Sequence, residues 1–320
     1  MVPAHYPSQA LKNCCIPSRN KIFRFLSCVF FLASFKHECA AQLLDNRTGS
    51  VFREEMFFSQ QFLWTNKVSK ITGTTSIKQT GMPIIKRDDR VVYHFNEVGL
   101  MTRMDKVISN WGKIDSLTLE YMRNDTGKVK KIEETGTRGY FTTHFYYDAS
   151  GKLTRTDYSS VDLNAETPED QKLRGILLNS ETFRWSENTP LLSQKSVYNN
   201  YGLHYANWLI ESAENGYLKS ETEELIMSGR TVTRKYLYND HGWIDKVEIT
   251  DNQGSPVKRH FYTYDEVGNL THVAYKTGNE VTREIQILYT PNSLVEAYLD
   301  HDFQTHDILI TKFAYEFLTP

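Results

Sequence analysis

The chain has 320 residues with 37 Lys+Arg against 39 Asp+Glu, and 13% of it is aromatic, led by 19 Tyr and 17 Phe. That length supports one large domain with its own core, and the near-neutral balance, without a basic stripe, argues against nucleic acid as a partner. The Tyr-rich composition leans toward strands, where aromatics pack well on a pleated surface.

In chain order, Lys12, Arg19, Lys21 and Arg24 come first, followed by an apolar run from Phe25 to Phe35 and small residues at Cys39 and Ala41. This succession predicts a secretory signal peptide over residues 1–41. The run of 11 residues is short of the roughly 20 that span a bilayer, so no stable transmembrane helix is expected after cleavage. All four cysteines, Cys14, Cys15, Cys28 and Cys39, fall in this segment. The exported chain is therefore expected to hold no disulfide, thiolate metal site or catalytic thiol. It keeps 32 Lys+Arg and 38 Asp+Glu, a net charge of −6. The expected location is periplasmic or secreted.

Residues 42–85 read as an N-terminal segment packing on a sheet. Within them, FREEMFFSQQFLW suits a strand and an amphipathic helix equally well. From 86 to 320 one phrase repeats. Aligned on glycine, it is YHFNEVGLM at Gly99, YMRNDTGKV at Gly127, FYYDASGKL at Gly151, YLYNDHGWI at Gly242 and YTYDEVGNL at Gly268. Weaker copies surround Thr189, Gly202, Gly216 and Asn292. Each letter has a physical reason. Tyr262 and Tyr264, like Phe145 and Tyr147 or Tyr236 and Tyr238, are two apart and share one strand face. Asp148, Asn239 or Asp265 then opens a turn by accepting from a backbone N–H two residues on. Gly151, Gly242 or Gly268 supplies the positive φ that closes a bulged hairpin.

Between these turns the strands alternate. In 283–289 Ile285, Ile287 and Tyr289 share a face, and near the end Phe313, Tyr315 and Phe317 do so. The predicted fold is all-β, a long antiparallel β-meander of about fifteen strands rolled or spiralling upon itself. The rhythm lapses at about 159–182, where Thr167 as N-cap and Pro168 behind it predict one short inserted helix.

The phrase, best kept at Phe145, Tyr147, Asp148, Gly151 and Leu153 and at Tyr262, Tyr264, Asp265, Gly268 and Leu270, resembles the YD repeat of the RHS family, which includes Rhs proteins, the shell components of insecticidal toxin complexes and teneurins. The resemblance covers about residues 90–295, with Asn in place of Asp at Asn96 and Asn239. It implies a spiralling sheet that acts as scaffold, shell or adhesive surface and is not itself catalytic. The chain departs from that family in showing no cleavage region and no C-terminal toxin domain.

No nucleophile elbow, zinc-protease helix, phosphate loop or dinucleotide fingerprint is present. The densest polar cluster is Asp300–Asp307, where a turn at 303–305 could bring His301 toward His306 beside Asp302, but it offers no fourth ligand, so no metal and no cofactor are expected. The repeat aromatics Phe145, Tyr147, Tyr236, Tyr238, Tyr262 and Tyr264 are the candidate binding residues, as a platform for sugar rings, or else cross-strand pairs that build the sheet. The functional expectation is an exported, non-catalytic scaffold that binds a protein, envelope component or glycan. The alternatives are an outer-membrane β-barrel, against which Asp245 appears on the face of Trp243 and Val247, and a hydrolase with a site of unfamiliar pattern.

Overall fold

A computed structural model describes residues 58–110, 113–137, 139–161 and 175–318. The expected signal segment 1–41 and the helix expected from Thr167 lie outside these residues. The helix α1 (Gln60–Thr65) is followed by β1 (Val68–Gln79), β2 (Ile85–Phe95), β3 (Met101–Asn110), β4 (Lys113–Arg123), β5 (Val129–Gly136) and β6 (Gly139–Tyr147). Next come β7 (Leu153–Val161), β8 (Ile176–Thr189), β9 (Leu192–Tyr198), β10 (His204–Ser212), β11 (Leu218–Leu225) and β12 (Arg230–Tyr238). The last third is β13 (Ile244–Asp251), β14 (Lys258–Tyr264), β15 (Leu270–Thr277), β16 (Glu280–Tyr289), β17 (Val295–Asp302) and β18 (Asp307–Phe317).

Each strand is antiparallel to its neighbours in sequence, and β1 pairs with both β2 and β18, so the 18-stranded sheet closes into a barrel. The closing register runs from Val68 opposite Phe317 to Gln79 opposite Asp307. The meander expected from sequence is present with three more strands than the predicted fifteen. One of them is β1, which comes from the segment expected only to pack on the sheet. Odd-numbered strands run from the end that carries α1 to the far end.

The two faces differ sharply in chemistry. One continuous row of partners is Tyr315, Ile71, Tyr93, Met104 and Leu119, and the row one residue away is Glu316, Lys70, His94, Arg103 and Glu120. Ile71, Ile244, Leu270, Val273, Ile285 and Val295 are fully buried, and α1 packs Phe62 and Leu63 into the same cluster. This buried face lines the inside of the closed sheet, where side chains of neighbouring strands and of α1 pack in one cluster. Each such aliphatic side chain contributes about 1.5–3 kcal/mol. The outer face holds ion pairs instead: Lys70 with Glu316 at 2.7 Å, Arg103 with Asp105 at 2.8 Å and Arg259 with Glu248 at 3.2 Å.

The repeat phrase forms one hairpin design. Asp265 Oδ1 accepts from the N–H groups of Val267 and Asn269, and Gly268 has φ 92°. Asn239 does the same for His241 and Trp243. Beyond each glycine lies a bulge: Tyr264 pairs with Leu270 but Thr263 with His272, leaving Thr271 as the extra residue, whose hydroxyl donates to the Thr263 carbonyl at 3.1 Å. A bulge adds twist and bends the strand, which assists closure. It also corrects the placing of Asp245, which is the extra residue after Ile244, so that Ile244 and Val247 both turn inward while Asp245 is exposed. The turns at Gly99, Gly127, Gly151, Gly216, Gly242 and Gly268 lie at the α1 end, whereas the Gly202 copy lies at the far end.

Candidate functional site

The six aromatics proposed as a binding platform face the axis rather than the outer surface. Tyr147 Oη donates to the Val129 carbonyl at 2.8 Å, Tyr238 to Leu218 at 2.7 Å and Tyr264 to Ile244 at 2.7 Å. Tyr236 donates to Glu221 at 2.7 Å, Tyr262 is buried in the core, and Phe145 lies half-buried opposite Thr156. These rings are the inner wall. The same link continues at Tyr289 to Leu270 and Tyr315 to Val295, and burial pushes both phenols up, so they remain donors. The turn residues Asp148, Gly151, Asn239, Gly242, Asp265 and Gly268 all sit in hairpin tips. In the Asp300–Asp307 segment Asp302 pairs with Asp307, which sends His301 to the outer face, its ring tilted by 35° against that of Phe303 with centroids 4.1 Å apart. His301 therefore stands opposite Ile308 in the ladder, and His306 lies in the turn at φ 59°.

Periodicity did not reveal the polarity gradient inside the barrel. At the α1 end the wall is apolar, and Phe62 and Leu63 pack into it. Toward the far end the inward positions become Asp89, Lys106, Arg283 and Asp300. A cleft of about 250 Å³ lies between strands β16–β18 and β1–β3, with Tyr93, Met104 and Phe313 on its apolar side and Lys106 and Arg283 on its polar side. A second space of about 340 Å³ adjoins it, sharing Arg283 and Leu309 and reaching Arg87, Asp302 and Asp307. Arg283 is oriented from two sides: it donates to Asp300 at 2.7 Å and lies 5.3 Å from the Tyr275 ring. The only sequence signal for this pair was charge at positions whose period-two neighbours are Ile285 and Tyr298.

The opposite wall has a separate, smaller cluster around Phe183, Val197 and Ala206. There Lys195 Nζ lies 4.8 Å from the Trp208 ring and 5.5 Å from the Phe183 ring. Burial lowers its affinity for a proton, while Glu221, Glu181 and Glu223 act in the other sense. This is a cation held against the chain's own rings. Among the described residues no group of three His, Cys, Asp or Glu is placed to hold a metal.

No protein-family model matches the sequence and no curated relative does. Among solved structures the chain is similar to a porin-like protein from Bacteroides uniformis ATCC 8492, at 11% identity and TM-score 0.40, over 78% of this chain and 97% of that one. It is also similar to a porin-like protein from Bacteroides vulgatus ATCC 8482, at 9% identity and TM-score 0.31, over 78% and 99% of the two chains. A third likeness is to the LolA superfamily protein NE2245 from Nitrosomonas europaea, at 6% identity and TM-score 0.19, over 80% and 88%.

Proposed function

We propose that this chain is an exported β-barrel of the cell envelope, non-catalytic and built on YD-like hairpins, whose lumen holds one small amphiphilic molecule. The observation that carries this reading is the gradient along the cleft, from Met104 and Phe313 to Arg283. Apolar walls would take a hydrocarbon chain, and the polar end would take a headgroup. The two adjoining spaces are at the lower end of the size range for ligand pockets, which suits a single-chain amphiphile. Organic extraction of the purified protein followed by mass spectrometry, together with titration of a fluorescent fatty acid, tests it. Absence of any co-purifying amphiphile together with no saturable probe binding would sink the proposal. Export is a separate part of the reading, supported by the succession of residues at 1–41, and N-terminal sequencing of the secreted or periplasmic form should begin near Gln42.

A second reading is an outer-membrane barrel. Complete closure of an even number of antiparallel strands favours it. Asp105, Glu133 and Glu248, near the middle of their strands on the outer wall, weigh against it, because transmembrane barrels alternate apolar-out and polar-in and a lipid-facing charge is least tolerated toward the midplane. Solubility without detergent, and gel migration unchanged by boiling, are expected for the water-facing barrel; detergent dependence and heat-modifiable migration would establish the spanning one.

A further inference from the structure

We propose that the molecule held in the cleft is a long-chain carboxylic acid, and that the Lys106 ammonium binds its carboxylate. This rests on the lumen reading and adds the headgroup to it. Among the described residues three cations stand on the inner wall around the cleft and the space that adjoins it, and two of them are already matched. Arg87 Nε lies 2.5 Å from Asp89 Oδ2, and the other oxygen of Asp89 accepts from Ser109 N at 2.6 Å. Arg283 donates to Asp300 at 2.7 Å, reaching back from its register position opposite Asp302. Lys106, the third, makes no ion pair with any described residue. Arg90 also borders the cleft, but it is exposed, and its register opposite Thr74 and Val107 sets it on the outward side.

Lys106 is half-buried and its inward neighbours are apolar. Val91 and Leu117 flank it across the sheet, and Met104 and Ile108 precede and follow it on its own strand face. A cation in such surroundings gains more from a counter-ion than one in water does, because the local dielectric is lower and a charge-assisted hydrogen bond is stronger there. The carboxylates nearby do not supply that counter-ion. Asp115 and Glu134 border a separate space of about 170 Å³ onto which Lys106 also opens; Asp115 accepts from the Thr137 hydroxyl, and neither pairs with Lys106. Asp302 and Asp307 belong to another level. Lys106 shares a row with Val91, Gly73 and Phe313, and Asp307 is six residues from Phe313 on β18, about 20 Å at the ordinary rise of a strand. The cleft is thus left with one unmatched positive charge beside Tyr93, Met104 and Phe313, which fits a single negative charge at the end of a hydrocarbon chain. A cationic headgroup has the wrong sign, and a phosphate monoester, at about −1.5 to −2, carries more charge than one lysine balances.

Calorimetric titration of the purified chain, stripped of bound lipid, with decanoic acid, decanol and decylamine at neutral pH and below their micelle concentrations tests the proposal. The acid should bind at least about tenfold tighter than the alcohol, and the amine no tighter than the alcohol. In Lys106→Met the affinity for the alcohol should stay as in the parent chain while that for the acid falls to the same level, and Lys106→Arg should keep the preference. Thermal melts check that both variants are folded, and the comparison of the three ligands in the parent chain stands without them. Equal affinities in the parent, an amine that binds tightest, or an undiminished preference for the acid in Lys106→Met would overturn the headgroup assignment and leave the lumen reading in place. Binding of none of the three would overturn both.

Discussion

Tyr264 Oη donates a 2.7 Å hydrogen bond to the main-chain carbonyl of Ile244, the residue two beyond the glycine of the preceding hairpin. The same offset joins Tyr147 to Val129, Tyr238 to Leu218 and Tyr289 to Leu270, and Tyr315 to Val295 with Ser293, at φ 60°, in the place of the glycine. In these five hairpins the tyrosine thus fastens its hairpin to the one before it. Tyr264→Phe keeps the ring and loses the donor, leaving a half-buried carbonyl without it. Urea unfolding should show a loss of about 1–2 kcal/mol with the far-ultraviolet spectrum unchanged.

The tips also stack. A Cβ on Gly268 would stand 2.6 Å from the Trp243 ring, and one on Gly242 would stand 2.6 Å from Tyr217 Oη, whereas Gly216, at φ 82°, has nothing near. Gly216→Ala should therefore cost only its backbone strain, about 1 kcal/mol. Gly268→Ala adds the clash and should cost visibly more in a thermal melt. Trp243→Ala in that background should relieve the extra part and leave the strain.

Asp265 and Asp148 open equivalent turns but differ in their side-chain partners: Asp148 Oδ1 also accepts from the Ser150 hydroxyl at 2.7 Å, which an Asn at 148 could still do. Asp265 Oδ2 also accepts from the Nδ2 of the buried Asn269, at 2.9 Å. Asp148→Asn should be nearly neutral, because Asn offers the same turn acceptor and the chain already uses it at Asn96 and Asn239. Asp265→Asn should cost about 1 kcal/mol more, through the amide of Asn269. Equal melting temperatures for the two variants would refute the difference.

Asp157 provides a test by pH. Burial pushes its carboxyl up, but Arg155 and Ser180 outweigh that and hold it below the ordinary carboxylate range. A depressed folded-state pKa means that the stabilisation is present above about pH 4, the unfolded value, and is lost as pH falls through the lower folded one. Melting temperature plotted against pH should therefore fall less steeply on the acid side in Asp157→Asn than in the parent chain.

What was legible in the sequence was local. Asp265, Gly268 and Tyr264 specify their hairpin within a few residues, so the turn chemistry and the antiparallel meander could be read directly. The bulge after each glycine was not, since period two placed Asp245 with Val247, and only an extra residue lets Ile244 and Val247 share a face. The helix α1 was ambiguous because its stretch is apolar on both periods; the structure resolves it through Ser59, whose hydroxyl accepts from Phe62 N. The Arg283–Asp300 pair depends on register between β16 and β17, which no single-strand pattern reveals.

The seam between β1 and β18 has a consequence for the order of folding. Its partners, such as Ile71 and Tyr315, are separated by nearly the whole described chain, while every other strand pair is between sequence neighbours. Hairpins can form as the chain appears, but until β18 is present the sheet is an open ribbon with two unpaired edges, the form most prone to join other chains. Deleting the residues from Asp307 onward should therefore yield a species with most of its strands intact that self-associates, instead of a smaller stable barrel.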